Sequence, residues 1–205
     1  MGFANNTCSF TRFRIVDPVP AELWTSIEDK LKQFAFMDID ELPEMQSKGW
    51  VCFEDMLDTR WRTAPPQKGA YIVFSLRLDT RRIPAAVVKK HLTIALKEEK
   101  ARISEQGKTF IARERKKEIK EQVMLRLRAR FLPIPAEFNV LWATDRNEIW
   151  FASTQNSMID LFMELFLQTF ELRLEQITPY TLALTLLDEK RQEQVDRIEA
   201  TQFAV

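Results

Sequence analysis

Residues 137–153 read EFNVLWATDRNEIWFAS. Two segments rich in aromatic and β-branched residues, 137–144 and 148–153, flank the polar tripeptide Asp145-Arg146-Asn147. Strands joined by such a short turn pair with each other in the antiparallel sense. The sequence therefore predicts a β-hairpin here, and with it an antiparallel sheet.

Strand and helix patterns continue on both sides of this hairpin. Aromatic and β-branched residues predict strands at 9–16, 49–53, 70–78 and 171–177. Apolar residues at helical spacing predict helices at 21–36 and 157–170. Residues 55–69 look irregular, and no structure is assigned to the apolar stretch 179–187. This order predicts an α+β fold with a mainly antiparallel sheet and packed helices, in a single domain spanning residues 1–205.

Residues 84–131 are strongly basic, although the whole chain has a formal net charge of zero. They contain fourteen Lys and Arg against six Glu, which gives a net charge of +8. The other residues carry 16 basic and 24 acidic groups, a net charge of −8. Such a separation of charge favours a polyanionic partner, while the acidic remainder limits indiscriminate binding.

The basic segment has the pattern of two helices. Pro84 suits the first turn of a helix, and Val88, Leu92, Ala95, Leu96 and Ile103 fall on one side of it, next to a row of lysines. Gln106 and Gly107 end this helix, and a second one is predicted from 112 to 131. The pattern predicts a protruding helical hairpin with a packed base. Residues 188–205 are predicted to form a charged helix or tail.

Eleven residues of this basic arm are candidate DNA contacts. They are Lys89, Lys90, Lys97, Lys100, Lys108, Phe110, Arg113, Arg115, Lys116, Lys117 and Lys120. Cations that neutralise phosphates release condensed counterions, which supplies affinity without reading the base sequence. The alternative for the cations is an ordinary solvated helix face with interspersed Glu.

Phe110 and two further residues near basic positions have two interpretations each. Phe110, at the turn between the helices, either stacks on bases or packs back against the arm. Trp61, between two arginines in a loop, either contacts DNA or a partner, or is a packing residue like the other tryptophans. His91 either contacts a phosphate or is a helix-surface histidine, which is the more common case.

Catalysis is a weaker hypothesis, and no cofactor is expected. Cys8 and Cys52 lack the spacing of a zinc site or a disulfide framework, and a single histidine excludes a His-pair metal site. The acidic loop residues Asp38, Asp40, Glu41 and Glu44 are the candidates for Mg²⁺ in a metal-dependent nuclease. Acidic runs of this kind are more often solvent-exposed, so a non-enzymatic protein is expected.

The chain lacks the patterns of export and of membrane insertion. Its first residues do not have the basic and apolar regions of a signal peptide. The longest apolar stretch, 158–170, is interrupted by Asp160, Glu164 and Gln168 and is too short to span a bilayer. A soluble cytoplasmic protein is expected.

Short motifs in order along the chain resemble the bacterial recombination-associated protein family RdgC. The similarity runs through Gly49-Trp50-Val51, Ile83-Pro84, Val88-Lys89 with Leu92, Lys116-Lys117-Glu118-Ile119-Lys120-Glu121-Gln122-Val123, Leu141-Trp142, residues 147–152, and Pro179 with Leu182, Leu184 and Leu186. The resemblance implies a sequence-nonspecific DNA-binding protein that coats or encircles duplex DNA. It also implies a nucleoid-associated, ring-shaped homodimer that restrains the RecA recombinase.

The resemblance weakens at the C-terminal end of the chain. Family members continue well beyond the position of Leu187, whereas here a charged segment follows. DNA binding is therefore expected more firmly than encirclement of the duplex. The alternatives are a metal-dependent nuclease and a protein-interaction module whose basic arm docks on an acidic protein.

Overall fold

The structure is a computed structural model that describes residue 3, residues 6–105 and residues 110–199. Its strands are β1 (Thr11–Ile15), β2 (Gln46–Val51), β3 (Gln67–Lys68), β4 (Tyr71–Thr80), β5 (Ile134–Ala143), β6 (Glu148–Phe151) and β7 (Leu174–Gln176). Its helices are α1 (Leu23–Gln33), α2 (Ala85–Glu105), α3 (Arg113–Arg128), α4 (Asn156–Phe170), α5 (Pro179–Leu186) and α6 (Glu189–Asp196).

The strands form one sheet in the order β2-β4-β5-β6-β1-β7, with β3 paired to β4. The predicted hairpin is β5 and β6, which pair antiparallel with Val140 opposite Phe151 and Ala143 opposite Glu148. Asn147 takes the left-handed conformation in the turn, with φ of 51°, which asparagine tolerates better than most residues. The α+β fold with an antiparallel sheet is confirmed.

Helices α1 and α4 supply the main core together with residues from the sheet. Leu23, Ile27 and Leu31 of α1 are buried at the spacing of one helix face. The α4 ring of Phe162 stacks on Phe151 with centroids 4.3 Å apart and planes 8° apart. The indole N–H of Trp50 donates to the Thr169 hydroxyl at 2.8 Å, which satisfies a polar group inside this core.

Two stretches for which the sequence predicts no helix or strand contain regular structure. Residues 55–69 include the short strand β3, which pairs with β4 across a turn where Gly69 has φ of 63°. The unassigned stretch 179–187 contains α5, whose start is fixed by reciprocal hydrogen bonds between Thr178 and Thr181. This is a capping box with threonine in place of the usual Glu or Gln. The charged segment after it contains α6.

Trp61 is a core residue and not a surface contact. Its side chain is 6 % exposed and belongs to the main core cluster. The backbone turns its ring inward by adopting φ of 52°, an unusual value for a bulky residue. Asp58 supports this loop, because its carboxylate accepts the backbone N–H of Arg60 at 2.9 Å and of Thr63 at 2.7 Å.

The chain divides into two compact units. The first comprises Met1–Ala35, Trp50–Leu76 and Glu137–Val205, and the second comprises Phe36–Gly49 and Arg77–Ala136. The single-domain organisation of residues 1–205 stays a prediction. Among the described residues, no helix is long and apolar enough to cross a membrane.

Arg81 organises the second unit through backbone carbonyls. Its side chain is 1 % exposed. The guanidinium donates to the carbonyl oxygens of Ile39, Asp40, Leu42, Glu44 and Phe131 at 2.5–3.3 Å. Only a guanidinium offers five donors in a fixed fork. One side chain thereby connects the acidic loop to the segment after α3 through hydrogen bonds.

We predict that Arg81→Met lowers the free energy of unfolding by about 3 kcal/mol, because five carbonyls, buried or partly buried, lose their donor at once. Arg81→Lys is also destabilised, since one ammonium group cannot replace the fork. Urea unfolding followed by circular dichroism measures the effect. The neighbouring Arg82→Met is the control, because Arg82 is exposed and its loss costs less than about 0.5 kcal/mol. Equal stability of the two Met variants contradicts the assignment.

Candidate nucleic-acid interface

Helices α2 and α3 form a hairpin with its own apolar seam. Ile119, Val123 and Leu127 of α3 are buried, and they repeat every four residues along one face. Partly buried residues pack against them, namely Ile83, Val87, Val88, Leu92, Ala95, Leu96 and Phe131. The apolar side predicted for α2 is thus confirmed, and Ile103 on the same side is buried as well. The prediction that this hairpin protrudes stays a prediction.

A buried carboxylate crosslinks the two helices. Glu99 of α2 is 9 % exposed, and it accepts hydrogen bonds from Arg115 of α3 at 2.8 Å and from Arg102 at 2.7 Å. The bond from Arg115, supported by Arg102, lowers the pKa of the Glu99 carboxyl below its ordinary value, although burial acts in the opposite direction.

Arg115 therefore has a structural partner. Besides Glu99, it donates to Glu118 at 2.8 Å, and these two carboxylates raise the pKa of its guanidinium. Arg115 is among the predicted DNA contacts, and its contact with DNA stays a prediction. Within the hairpin, its charge is already compensated by Glu99 and Glu118.

The remaining described cations among the candidates are exposed. On α2 they are Lys89, Lys90, Lys97 and Lys100, and on α3 they are Arg113, Lys116, Lys117 and Lys120. In the part of the chain that the structure describes, none of these eight forms an ion pair within 4.0 Å. Their charges are available to an external anion.

The α3 cations form one row. Arg113, Lys116, Lys117 and Lys120 occupy positions i, i+3, i+4 and i+7, which place them along one side of a helix. At 1.5 Å per residue the row covers about 10 Å of helix length. A duplex carries one phosphate charge per about 1.7 Å of axis, so several phosphates lie within the span of this row.

The end of the hairpin carries an exposed aromatic ring. Phe110 is 77 % exposed, so the alternative that it packs back against the arm is wrong. An exposed ring at this position is available for contact with bases or with another protein. Lys108, the remaining candidate, lies outside the described residues, as do Gln106 and Gly107.

The outer side of α3 also borders an open groove of about 650 Å³. Its lining includes Lys117, Lys120, Leu125 and Arg128. Leu125 is 57 % exposed, and the Nε of Arg128 is buried without a hydrogen-bond partner among the described atoms. Arg128 is one of the fourteen basic residues of 84–131, and its helix position alone does not distinguish it from Arg126 and Arg130.

The acidic loop does not assemble a metal centre in the described part of the chain. Asp38 accepts the backbone N–H of Asp40 at 2.7 Å, and no group of three or more His, Cys, Asp or Glu side chains converges among the described residues. Cys8 and Cys52 are both free thiols, and Cys52 is buried in the main core. His91 is half-buried and borders a small cavity of about 50 Å³ with Val123 and Arg126.

We predict that Glu99→Gln lowers the melting temperature at pH 7 and that this loss shrinks in acid. The native pKa of Glu99 is lowered. Its ionised form therefore stabilises the fold above the unfolded-state pKa of about 4.3. That stabilisation is lost as the pH falls through the native pKa. Thermal melts of wild type and variant between pH 7 and pH 3 measure the gap.

Glu98→Gln is the matched control, since Glu98 is exposed and has no ion pair among the described residues. Its melting temperature is expected to follow the wild type at every pH. A gap for Glu99→Gln that stays constant down to pH 3 contradicts the role of the Glu99 charge.

Comparison with known proteins agrees with the resemblance found in the sequence. A family model described as "Putative exonuclease, RdgC" matches residues 9–188. No curated protein matches the chain. The match covers all of the elements from β1 to α5, including both helices of the basic hairpin. The chain belongs to the RdgC family.

Proposed function

We propose that this protein binds duplex DNA without sequence preference and modulates homologous recombination by occupying the DNA. The observation that carries the proposal is the set of eight exposed cations on α2 and α3 that form no ion pair among the described residues. A helical pair with its own apolar seam holds them at fixed spacing. The chain belongs to the RdgC family, and the role in recombination is what the family resemblance implies.

The chemistry of the hairpin favours phosphates over bases. Lysine presents a compact charge on a flexible stem, which suits phosphate oxygens at variable positions. Contacts of this type position a protein on DNA but carry no direct sequence information. Affinity is then dominated by counterion release and falls steeply with salt. Phe110 extends this surface with an apolar ring that is available for contact with bases.

The wider role follows from the family resemblance. In this proposal the protein acts as a nucleoid-associated homodimer in the cytoplasm, and its occupation of DNA antagonises the RecA recombinase. Two copies that place their hairpins on opposite sides of a duplex act as a clamp. A single copy binds DNA through one hairpin only. Light scattering with and without DNA distinguishes the dimer from the monomer.

We predict that the triple charge reversal Lys116→Glu, Lys117→Glu and Lys120→Glu weakens binding to a random-sequence duplex by more than about tenfold. Three lost phosphate contacts also make the slope of log affinity against log salt shallower by about 2.7. Fluorescence anisotropy at several salt concentrations measures both quantities.

The matched control is Arg60→Glu, Arg62→Glu and Arg146→Glu, which changes the net charge equally at exposed positions outside the hairpin. Its salt slope is expected to stay at the wild-type value. If the hairpin variant keeps its affinity and its slope, the hairpin is not the contact. If the wild type fails to bind at low salt, the basic arm instead serves an acidic protein partner.

Nuclease activity is a second candidate function, and the family description as an exonuclease favours it. Incubation of end-labelled DNA with Mg²⁺ or Mn²⁺ tests it directly. Cleavage that disappears in Asp38→Asn and Asp40→Asn supports the acidic loop as the metal site. Intact DNA, or cleavage that survives both substitutions, removes that loop from consideration.

A further inference from the structure

The outer face of strands β1 and β6 carries a surface cluster of aromatic and basic side chains. Along β1, Phe13 points into the main core, so its neighbour Arg12 points to the opposite face. Along β6, Ile149 and Phe151 belong to the core, and Trp150 points away from it. Arg12 and Trp150 are direct partners in the antiparallel ladder. They therefore lie side by side on the outer face.

Phe10, just before β1, completes this cluster. Its ring stacks on Trp150 with centroids 5.5 Å apart and planes 22° apart. Phe10 remains 41 % exposed, and Phe3 approaches it as a tilted neighbour, at 5.8 Å and 59°. Neither ring belongs to the main core, and solvent reaches the Phe10–Trp150 stack. Most other tryptophans, Trp50, Trp61 and Trp142, are buried.

The charge next to the stack is mixed. The indole N–H of Trp150 donates to the Glu148 carboxylate at 3.4 Å, so an acidic group lies on one side of the ring and Arg12 on the other. Arg12 is half-buried and forms no ion pair among the described residues. The neighbouring Arg14 is occupied by Glu175 at 2.6 Å on β7. The accessible cation beside the two rings is therefore Arg12.

The middle of this sheet face, around Asn139 and Ser75, is buried. On β5, Asn139 accepts the backbone N–H of Phe3 at 3.1 Å and donates to the buried Ser75 hydroxyl at 2.8 Å. Leu141 of β5 lies opposite Trp150 and is half-buried. The partly accessible residues around the stack therefore include Arg12, Leu141 and Trp150 beside the exposed Phe10.

We propose that the Phe10–Arg12–Trp150 surface binds unpaired DNA by stacking nucleobases on the two rings, while Arg12 contacts a phosphate. Every base has an aromatic face, so stacking on exposed rings is tolerant of sequence. Sheets that present aromatic side chains to solvent bind single strands in this way, because unpaired bases can be splayed out. A duplex hides the faces of its bases and does not compete for the rings.

This surface shares its ligand class with the proposed function but uses different residues, so either assignment can fail alone. The probe is fluorescein-labelled dT15, with a 15-base-pair duplex as the second ligand. We expect Phe10→Ala and Trp150→Leu each to weaken dT15 binding by about tenfold. The same substitutions are expected to change duplex affinity by less than about twofold. The triple charge reversal on α3 weakens the duplex much more than either of them.

Two further variants separate stacking from a loss of structure. Trp150→Phe keeps an aromatic face, so it retains dT15 binding but loses the quenching of tryptophan emission that dT15 causes in the wild type. Tyr180→Leu removes an exposed aromatic residue on α5 and is expected to bind dT15 like the wild type.

Three results overturn the proposal. The first is wild-type dT15 affinity in Phe10→Ala and Trp150→Leu. The second is an equal loss of dT15 and duplex binding in these variants. The third is dT15 quenching that persists in Trp150→Phe.

Discussion

The apolar seam between α2 and α3 is the interaction that holds the proposed DNA-binding surface together. Residues 84–131 carry a net charge of +8, and like charges on neighbouring helical positions each cost about 0.2–0.5 kcal/mol. Burial of Ile119, Val123 and Leu127 contributes about 1.5–3 kcal/mol for each side chain. The seam therefore outweighs the repulsion. Glu99 assists it, because one buried carboxylate compensates arginines on both helices.

The cations of residues 84–131 fall into two groups, those that pair with a carboxylate inside the hairpin and those that do not. Arg102 and Arg115 face the carboxylate that joins the helices, so part of the basic charge serves the fold. The lysines on the outer positions have no such partner among the described residues. In the proposed function, this hairpin would bind phosphates with a small loss of conformational entropy, since its helices are already packed against each other. In the further proposal, the outer face of β1 and β6 binds unpaired bases, so duplex and single-stranded DNA would contact different parts of the protein.

Sequence periodicity predicts much of this molecule, and the reasons for its failures are physical. The β5–β6 hairpin, α1, α4 and the two basic helices have strong local patterns, and the structure contains all of them. The start of α5 depends on a threonine pair that does not match the usual capping pattern. Trp61 enters the core through a left-handed backbone that its neighbours Arg60 and Arg62 do not reveal.

Long-range contacts are invisible in the sequence for a different reason. Arg81 binds carbonyls that lie 37–50 residues away, and Arg115 meets a carboxylate 16 residues away on the other helix. Composition counts both as ordinary positive charges, so it cannot separate a buried structural arginine from a DNA contact. The surface of Phe10, Arg12 and Trp150 likewise exists only once strands distant in the chain are paired.

Lysine acetylation, read by mass spectrometry with and without bound duplex, tests whether the α2–α3 hairpin is the DNA contact. Each lysine serves as its own reference in the free protein. The account predicts that duplex DNA protects Lys89, Lys90, Lys97, Lys100, Lys116, Lys117 and Lys120 several-fold. It also predicts unchanged acetylation at Lys30, Lys32, Lys48 and Lys68. Equal protection across all lysines, or protection confined to the second set, contradicts the assignment of the hairpin as the DNA contact.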